Sequence, residues 1–418
     1  MSLLRPVILV LLTDLASKLL LGLIWLLLIR YMSAKEFALL TLATSVATVA
    51  SQTLGSSINR IYILDRSGAV HGDPGPLVLF QAGALILLGI AGLPFVEGLP
   101  GIAYPLTVLL ALGMLLSDFG KTMYQKQLNF STFSLIELAR SALVSATLIA
   151  LILQEGAAAR AWQVIAVQAV ALWLLSLIVI RCHIDLRKSL DFRRGMALLR
   201  PVLGNGHGYL FGYFFALAFF SQIDIFLIKV LSDQATLASY GSAARYYQLL
   251  SLALAAVHAV FLPTMQQLET PAATNAFLGR HIRMLLVFAP IVLACALAAP
   301  WLLPWIDLGR YPAAVPTFQI LCLSVIISFA FSPHVNLVFI HRRFRFLLVL
   351  IVVALAVNVG LGMMLIPDYG GRGAAVATLA ASASVTVPIY ILSRRLRKSL
   401  DARADSNSPY SRSSKPLQ

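Results

Sequence analysis

Apolar stretches of roughly 20 residues recur along the chain, broken by short turns that carry Pro, Gly or charge, and that is the length a helix needs to cross a hydrocarbon core of about 30 Å. Twelve spans are expected, near residues 7–29, 37–62, 76–96, 103–125, 131–153, 161–180, 206–231, 237–264, 283–304, 314–339, 345–366 and 373–393. The runs lack period-2 alternation and are about twice the length of a barrel strand, so helices are predicted and strands are not. The first run does not read as a signal peptide: it is too long, holds Asp14 and Lys18, and leads into further membrane segments. With the length used up by spans, no segment is expected for a soluble catalytic domain, and no enzymatic activity is expected.

Composition agrees with a lipid-embedded protein. Of 418 residues, 59% are apolar and 12% are charged, about half the charged share of a soluble domain. The net charge is +15, from 32 Lys and Arg against 17 Asp and Glu. Its placement decides its meaning. With the N-terminus inside, 23 basic residues fall in inner loops and the tail, six in outer loops, and three, Lys18, Arg140 and Arg245, inside spans. Basic loops stay cytoplasmic, so both termini of a multi-pass membrane protein are expected in the cytoplasm. The surplus is then mostly a topology signal. Dispersed over many loops, it gives no support to nucleic acid as a partner, and membrane lipids are the expected surroundings.

The basic loop near Arg181 to Pro201 divides the chain into six spans plus six: a lobe over 1–190, a second over 191–396, and a disordered basic cytoplasmic tail over 397–418. The halves share a pattern. Arg30-Tyr-Met-Ser-Ala-Lys-Glu-Phe-Ala38 and Lys229-Val-Leu-Ser-Asp-Gln-Ala-Thr-Leu-Ala238 each run from a basic residue through a polar turn into a helix rich in small and hydroxyl residues. Repeated halves with a site between them near mid-membrane are a common transporter plan. Cys182, Cys295 and Cys322 show no metal spacing, and Gly204-Asn-Gly-His-Gly208 lacks the strand and Lys-Ser/Thr of a phosphate loop, so a bend is expected there.

Ionisable groups in a membrane are costly and face a partner or a cavity. Asp14 and Lys18 lie at i,i+4 and Glu137 and Arg140 at i,i+3, so each pair can neutralise itself. Arg245 has no acid within one turn on its own helix. It needs water, another helix or an anionic ligand, and Asp224 in the preceding span is the acid nearest in sequence at comparable depth. In the second span, Thr41, Ser45, Thr48, Gln52, Gly55 and Asn59 recur at helical spacing within about 40° of one line. This stripe reads either as helix packing or as a polar cavity wall running down to Arg60. Ser134, Glu137, Ser141 and Ser145 repeat the idea in the fifth span. His207 and His334 are further polar groups that can face a cavity. No catalytic or metal constellation can be assembled.

On Tyr31-Met-Ser-Ala-Lys-Glu-Phe-Ala-Leu-Leu40, Leu54-Gly-Ser-Ser-Ile-Asn-Arg60, and Asp224-Ile-Phe-Leu-Ile-Lys-Val-Leu followed by Ala238-Ser-Tyr-Gly-Ser-Ala-Ala-Arg245, the chain resembles the bacterial polysaccharide-biosynthesis transporters. These are the O-antigen and exopolysaccharide flippases of the multidrug/oligosaccharidyl-lipid/polysaccharide (MOP) exporter superfamily. Phe37-Ala38 departs from the family's usual aromatic followed by Gly. The resemblance implies an all-α integral membrane protein of about twelve transmembrane helices in two six-helix lobes, a MATE-like fold with both termini cytoplasmic. It further implies alternating access that moves an undecaprenyl-pyrophosphate-linked oligosaccharide to the outer leaflet for O-antigen, exopolysaccharide or capsule synthesis. Lys18, Arg60 and Arg245 are the cations it places on the anionic headgroup, and Arg140 is added from its depth in the fifth span. Thr41, Ser45, Thr48, Gln52 and Asn59 would line the cavity. Asp14, Glu137 and Asp224 are the charge-pair or coupling candidates, with H+ or Na+ as the coupling ion and no cofactor. A glycan polymerase and other assembly proteins are the expected partners. Two alternatives stay open: a multidrug or cation extruder of the same superfamily coupled to H+ or Na+, and a non-transporting scaffold in a glycan-assembly complex.

Overall fold

The computed structural model describes residues 4–64, 74–92, 99, 101–127, 129–183, 208–266, 271–341 and 343–406, and among them it contains helices, short turns and no strand. The helices are α1 (Leu4–Tyr31), α2 (Ala34–Leu64), α3 (Gly75–Gly92), α4 (Ala103–Lys126), α5 (Phe130–Glu155), α6 (Ala161–His183), α7 (Gly208–Phe220), α8 (Ile223–Leu231), α9 (Gln234–Gln266), α10 (Pro271–Asp307), α11 (Ala314–Ile340), α12 (Phe344–Tyr369) and α13 (Gly371–Ser406). Nine of them are long and apolar enough to cross a membrane, ten when α7 and α8 count as one bent span.

These helices follow the expected spans one for one, with a single break. The run expected at 206–231 is two helices meeting at 45°. Ser221 and Gln222 make the joint. The Ser221 hydroxyl turns back to the Ala218 carbonyl at 2.8 Å, and Gln222 leaves helical geometry at φ −132°. A new helix then starts with Asp224 in its first turn, where a carboxylate favours the helix dipole. At the other end of the chain, α13 continues to Ser406, into the stretch expected as a disordered tail from 397. That stretch is rich in Ala, Leu, Arg and Lys, which are good helix formers. Residues 407–418, like the Gly204–His207 part of the expected bend, lie outside the described residues.

The two matching turns are built alike, with residue numbers that differ by 200 throughout. Met32 and Ser232 close the ends of α1 and α8 on the carbonyls of Leu28 and Ile228, and Phe37 and Leu237 bond back to the carbonyls of Ser33 and Asp233. Ser33 caps α2 by accepting from the Glu36 N–H at 3.3 Å, and Asp233 caps α9 by accepting from the Thr236 N–H at 2.7 Å. That backbone hydrogen bond holds the Asp233 carboxyl below the usual carboxylate range.

Helices α1–α6 pack chiefly on one another, and so do α7–α13; the halves meet where α1 and α2 contact α7 and α9. Small residues allow this meeting. Gly241 of α9 lies so close to Thr41 that an added Cβ would sit 2.6 Å from the threonine Oγ1, and Gly22 of α1 is filled in the same way by Leu249. Beyond them Phe37 stacks obliquely on Tyr311 at 5.9 Å, and the Arg310 guanidinium donates to the Met32 carbonyl at 2.9 Å. One end of the bundle is thereby tied across the two halves.

Candidate functional site

Arg245 sits at this junction. Its Nη2 donates to Thr44 Oγ1 of α2 at 2.9 Å, its Nη1 donates to Gln248 Oε1 one turn on at 2.9 Å, and its guanidinium carbon lies 3.5 Å from the centre of the Trp25 ring of α1. The Thr44 hydroxyl spends its proton on the Leu40 carbonyl at 2.9 Å, which leaves an oxygen lone pair for the arginine. All three partners are neutral. Among the described residues no carboxylate forms an ion pair with Arg245. A guanidinium so placed is oriented by hydrogen bonds and a ring face, while its charge stays uncompensated in a membrane-spanning bundle. Thr44 and Trp25 were not singled out in the sequence. Thr44 lies one position from the stripe residue Ser45, and Trp25 reads there as one more apolar residue of the first span.

The bridge between Arg245 and Asp224 is not formed. Asp224 is buried at the start of α8, and its Oδ2 accepts from Tyr240 at 2.6 Å and from Thr378 at 2.6 Å. Asn358 reaches the same threonine hydroxyl at 3.5 Å, and Asp224 Oδ1 has no hydrogen-bond partner among the described residues. Tyr240 and Arg245 are five residues apart on α9, about 140° around the helix. The acid and the base therefore lie on different sides of the same rod.

The polar stripe of α2 is not one continuous wall. Thr41 and Ser45 are buried between helices, and Ser45 donates to the Thr41 carbonyl at 2.8 Å. Thr48 is half-buried and donates to the Thr44 carbonyl at 2.7 Å. Gln52 is exposed, while buried Asn59 accepts from Gln81 of α3 at 3.4 Å. The Ser45 and Thr48 hydroxyls thus bond back to carbonyls of α2 itself, and Thr44, beside the stripe, meets the arginine. The side chains of Asp14 and Arg60 lie outside the described residues, and Lys18 is half-buried on α1.

A second charged cluster joins α4 to α5. Glu137 accepts from Arg140 through Oε1 and from Lys121 through Oε2, the latter at 3.1 Å, and Lys121 also meets Asp118 at 2.9 Å. The expected Glu137–Arg140 pair exists, but as part of a four-member network with two acids and two bases. Arg140 is engaged by Glu137 and does not stand beside Arg245 as a free cation. Lys121 lies within α4, inside the run expected at 103–125. His334 meets Ser393 at 2.8 Å and packs on Tyr390; the side chain of His207 lies outside the described residues. Among the described residues no cluster of His, Cys, Asp or Glu could hold a metal ion.

The profile of a family described as polysaccharide biosynthesis protein matches residues 98–309, half of the chain. The chain belongs to the polysaccharide biosynthesis protein family. No curated protein sequence matches it. Among solved structures, this family member resembles the lipid II flippase MurJ in an inward closed conformation, with a TM-score of 0.65 at 13% identity over 93% of this chain and 87% of that one. It also resembles an outward-facing multidrug resistance MATE family transporter of the MOP superfamily, with a TM-score of 0.56 at 14% identity over 95% and 96% of the two chains. A third is the Vibrio cholerae MATE transporter VcmN in the bent form, with a TM-score of 0.58 at 13% identity over 96% and 98%. At these identities the likeness establishes the fold alone, a MATE-like one, and the helices long and apolar enough to cross a membrane make the chain a multi-pass membrane protein.

Proposed function

We propose that the chain flips a polyprenyl-pyrophosphate-linked oligosaccharide from the cytoplasmic to the outer leaflet of a bacterial inner membrane, by alternating access of its two halves. The observation that carries this reading is Arg245, whose neutral partners come from α1, α2 and α9 and whose charge has no acid paired with it among the described residues. A pyrophosphate brings two or more negative charges and many acceptor oxygens, and guanidinium binds such groups with paired, charge-assisted hydrogen bonds. The family supports a role in polysaccharide synthesis, and the fold supports transport. Lys18 and Arg60 are the further cations assigned to the headgroup, and Thr44 and Gln248 hold Arg245 in place between substrates. A polymerase that consumes the flipped product is the expected neighbour.

Affinity for undecaprenyl pyrophosphate, read as a thermal shift of the purified protein, tests the assignment. Arg245→Ala should lose at least tenfold in affinity, with Arg245→Lys intermediate because a point charge replaces a fork of donors. Unchanged affinity in a well-folded Arg245→Ala protein would remove the arginine from the site.

Asp224 is the coupling candidate within this scheme. Buried, and with one oxygen uncommitted among the described residues, it suits a proton or a Na+ ion better than it suits a cationic substrate. An imposed pH or Na+ gradient should speed flipping by the wild type and leave Asp224→Asn indifferent. Equal wild-type rates with and without either gradient would dismiss the coupling.

A further inference from the structure

A cavity of about 720 Å³ lies on the opposite side of α2 from Arg245. Leu42, Val46 and Ala50 give it one face of that helix, whereas Thr44, which holds the arginine, lies two residues from Val46, about 160° away. The volume is that of a ligand pocket, roughly 300–1,000 Å³. Its other walls come from α3, α4 and α8, and they are largely apolar. The polar groups among them are spent locally: the Tyr104 hydroxyl donates to the Gly89 carbonyl, and Thr107 donates to the Ala103 carbonyl. Lys229 is different. It lines the cavity from the last turn of α8, and among the described residues no hydrogen bond or ion pair engages its ammonium.

The mouth faces the surroundings of the bundle. Leu88 and Val230, both part of the lining, are 50% and 80% exposed, and Leu87 and Ile90 continue the apolar surface along α3. An occupant therefore arrives from the bilayer, needs an apolar chain to fill the walls, and needs a negative charge to meet the lysine. We propose that this cavity is a binding site for an anionic phospholipid, with an acyl chain between α2, α3 and α4 and the headgroup phosphate on Lys229. A lysine at a helix C-terminus is also favourable simply for its dipole; that role alone predicts no selectivity between lipids. Because α2–α4 belong to one half and α8 to the other, the bound lipid sits across the moving junction. Its occupancy then depends on how the halves are arranged. The inference rests on the cavity and Lys229 and not on what Arg245 binds.

Native mass spectrometry of the full chain in detergent, with dioleoyl phosphatidylglycerol or dioleoyl phosphatidylcholine added at matched concentration, tests it. The expected result is one retained phosphatidylglycerol, preferred about tenfold over phosphatidylcholine, as a charge-assisted contact would give. Lys229→Gln should abolish the preference, and Ala50→Phe, which fills the cavity and keeps the lysine, should reduce retention of both lipids. Equal retention of the two lipids by the wild type would overturn the proposal without recourse to any variant. So would a preference that survives Lys229→Gln, or displacement of phosphatidylglycerol by an equal concentration of undecaprenyl phosphate, which would assign the cavity to the substrate's own chain.

Discussion

Thr41 and Gly241 occupy equivalent positions in the two halves, each eight residues beyond the residue that caps its helix, and they touch: a Cβ at 241 would lie 2.6 Å from Thr41 Oγ1. When equivalent residues of a repeated pair meet, the axis relating the halves passes between them. The contact marks where α2 and α9 come closest, one turn from Thr44 and Arg245. Glycine is needed at 241 because the neighbour is a short side chain held within its own helix, with little room to give way.

A methyl group at that point is therefore costly. Gly241→Ala should destabilise the folded protein by about 1–3 kcal/mol, the range for overpacking a filled contact. Adding Thr41→Ala should restore most of the loss. Thermal unfolding in detergent measures both, and a single variant as stable as wild type would mean the halves are not held at this spacing.

The α4–α5 network gives a contrast between two acids. Glu137 has 6% of its side chain exposed and holds two cations, whereas Asp118 is 52% exposed and holds one. Removing Glu137 takes the acid from Arg140 and leaves Lys121 with Asp118, and breaking a buried pair costs about 3–5 kcal/mol, while an exposed pair contributes under about 1 kcal/mol. Glu137→Gln should thus unfold far more readily than Asp118→Asn, by chemical denaturation in the same detergent. Similar losses in the two variants would show that Glu137 is as well solvated as Asp118.

The Asp233 cap carries a pH signature. Its carboxyl is held below its ordinary range chiefly by the backbone N–H of Thr236, so its contribution is present above the unfolded value of about 3.9 and is lost as pH falls through the lower folded value. Asp233→Ala should cost about 1 kcal/mol at neutral pH, as an N-cap loss does, and the gap from wild type should close in strong acid. A gap that stays constant across the titration would assign the effect to something other than the charge.

Much of this fold was legible in the sequence because lipid imposes a simple rule: runs of apolar residues of the right length must be helices. The break at Ser221–Gln222 escaped that rule, since both flanking segments are apolar and neither residue is a Pro or Gly. The repeat at Ser33 and Asp233 was visible as a pattern of turn residues, and its hydrogen bonds follow it closely. The site was harder to read. Arg245 stands out because no acid lies near it on its own helix, but its partners Trp25 and Thr44 are chosen by the crossing of helices far apart in sequence. Spacing along one helix says nothing about such a crossing. For the same reason Asp224 looked like a partner for Arg245 by depth alone, when the two face different ways around α9.

If the two halves part and close while a lipid-linked oligosaccharide crosses, a reversible tie at the junction will stop transport. The Cβ built at Gly241 lies 3.2 Å from the Cβ of Thr41, a few tenths of an ångström short of the roughly 3.5–4.5 Å of a disulfide, so Thr41→Cys with Gly241→Cys should cross-link on oxidation. Reconstituted in liposomes with a fluorescent polyprenyl-pyrophosphate oligosaccharide, the reduced double variant should flip the lipid, the oxidised form should stop, and reductant should restore the rate. Full flipping by quantitatively cross-linked protein would mean that transport needs no parting of the halves at this contact.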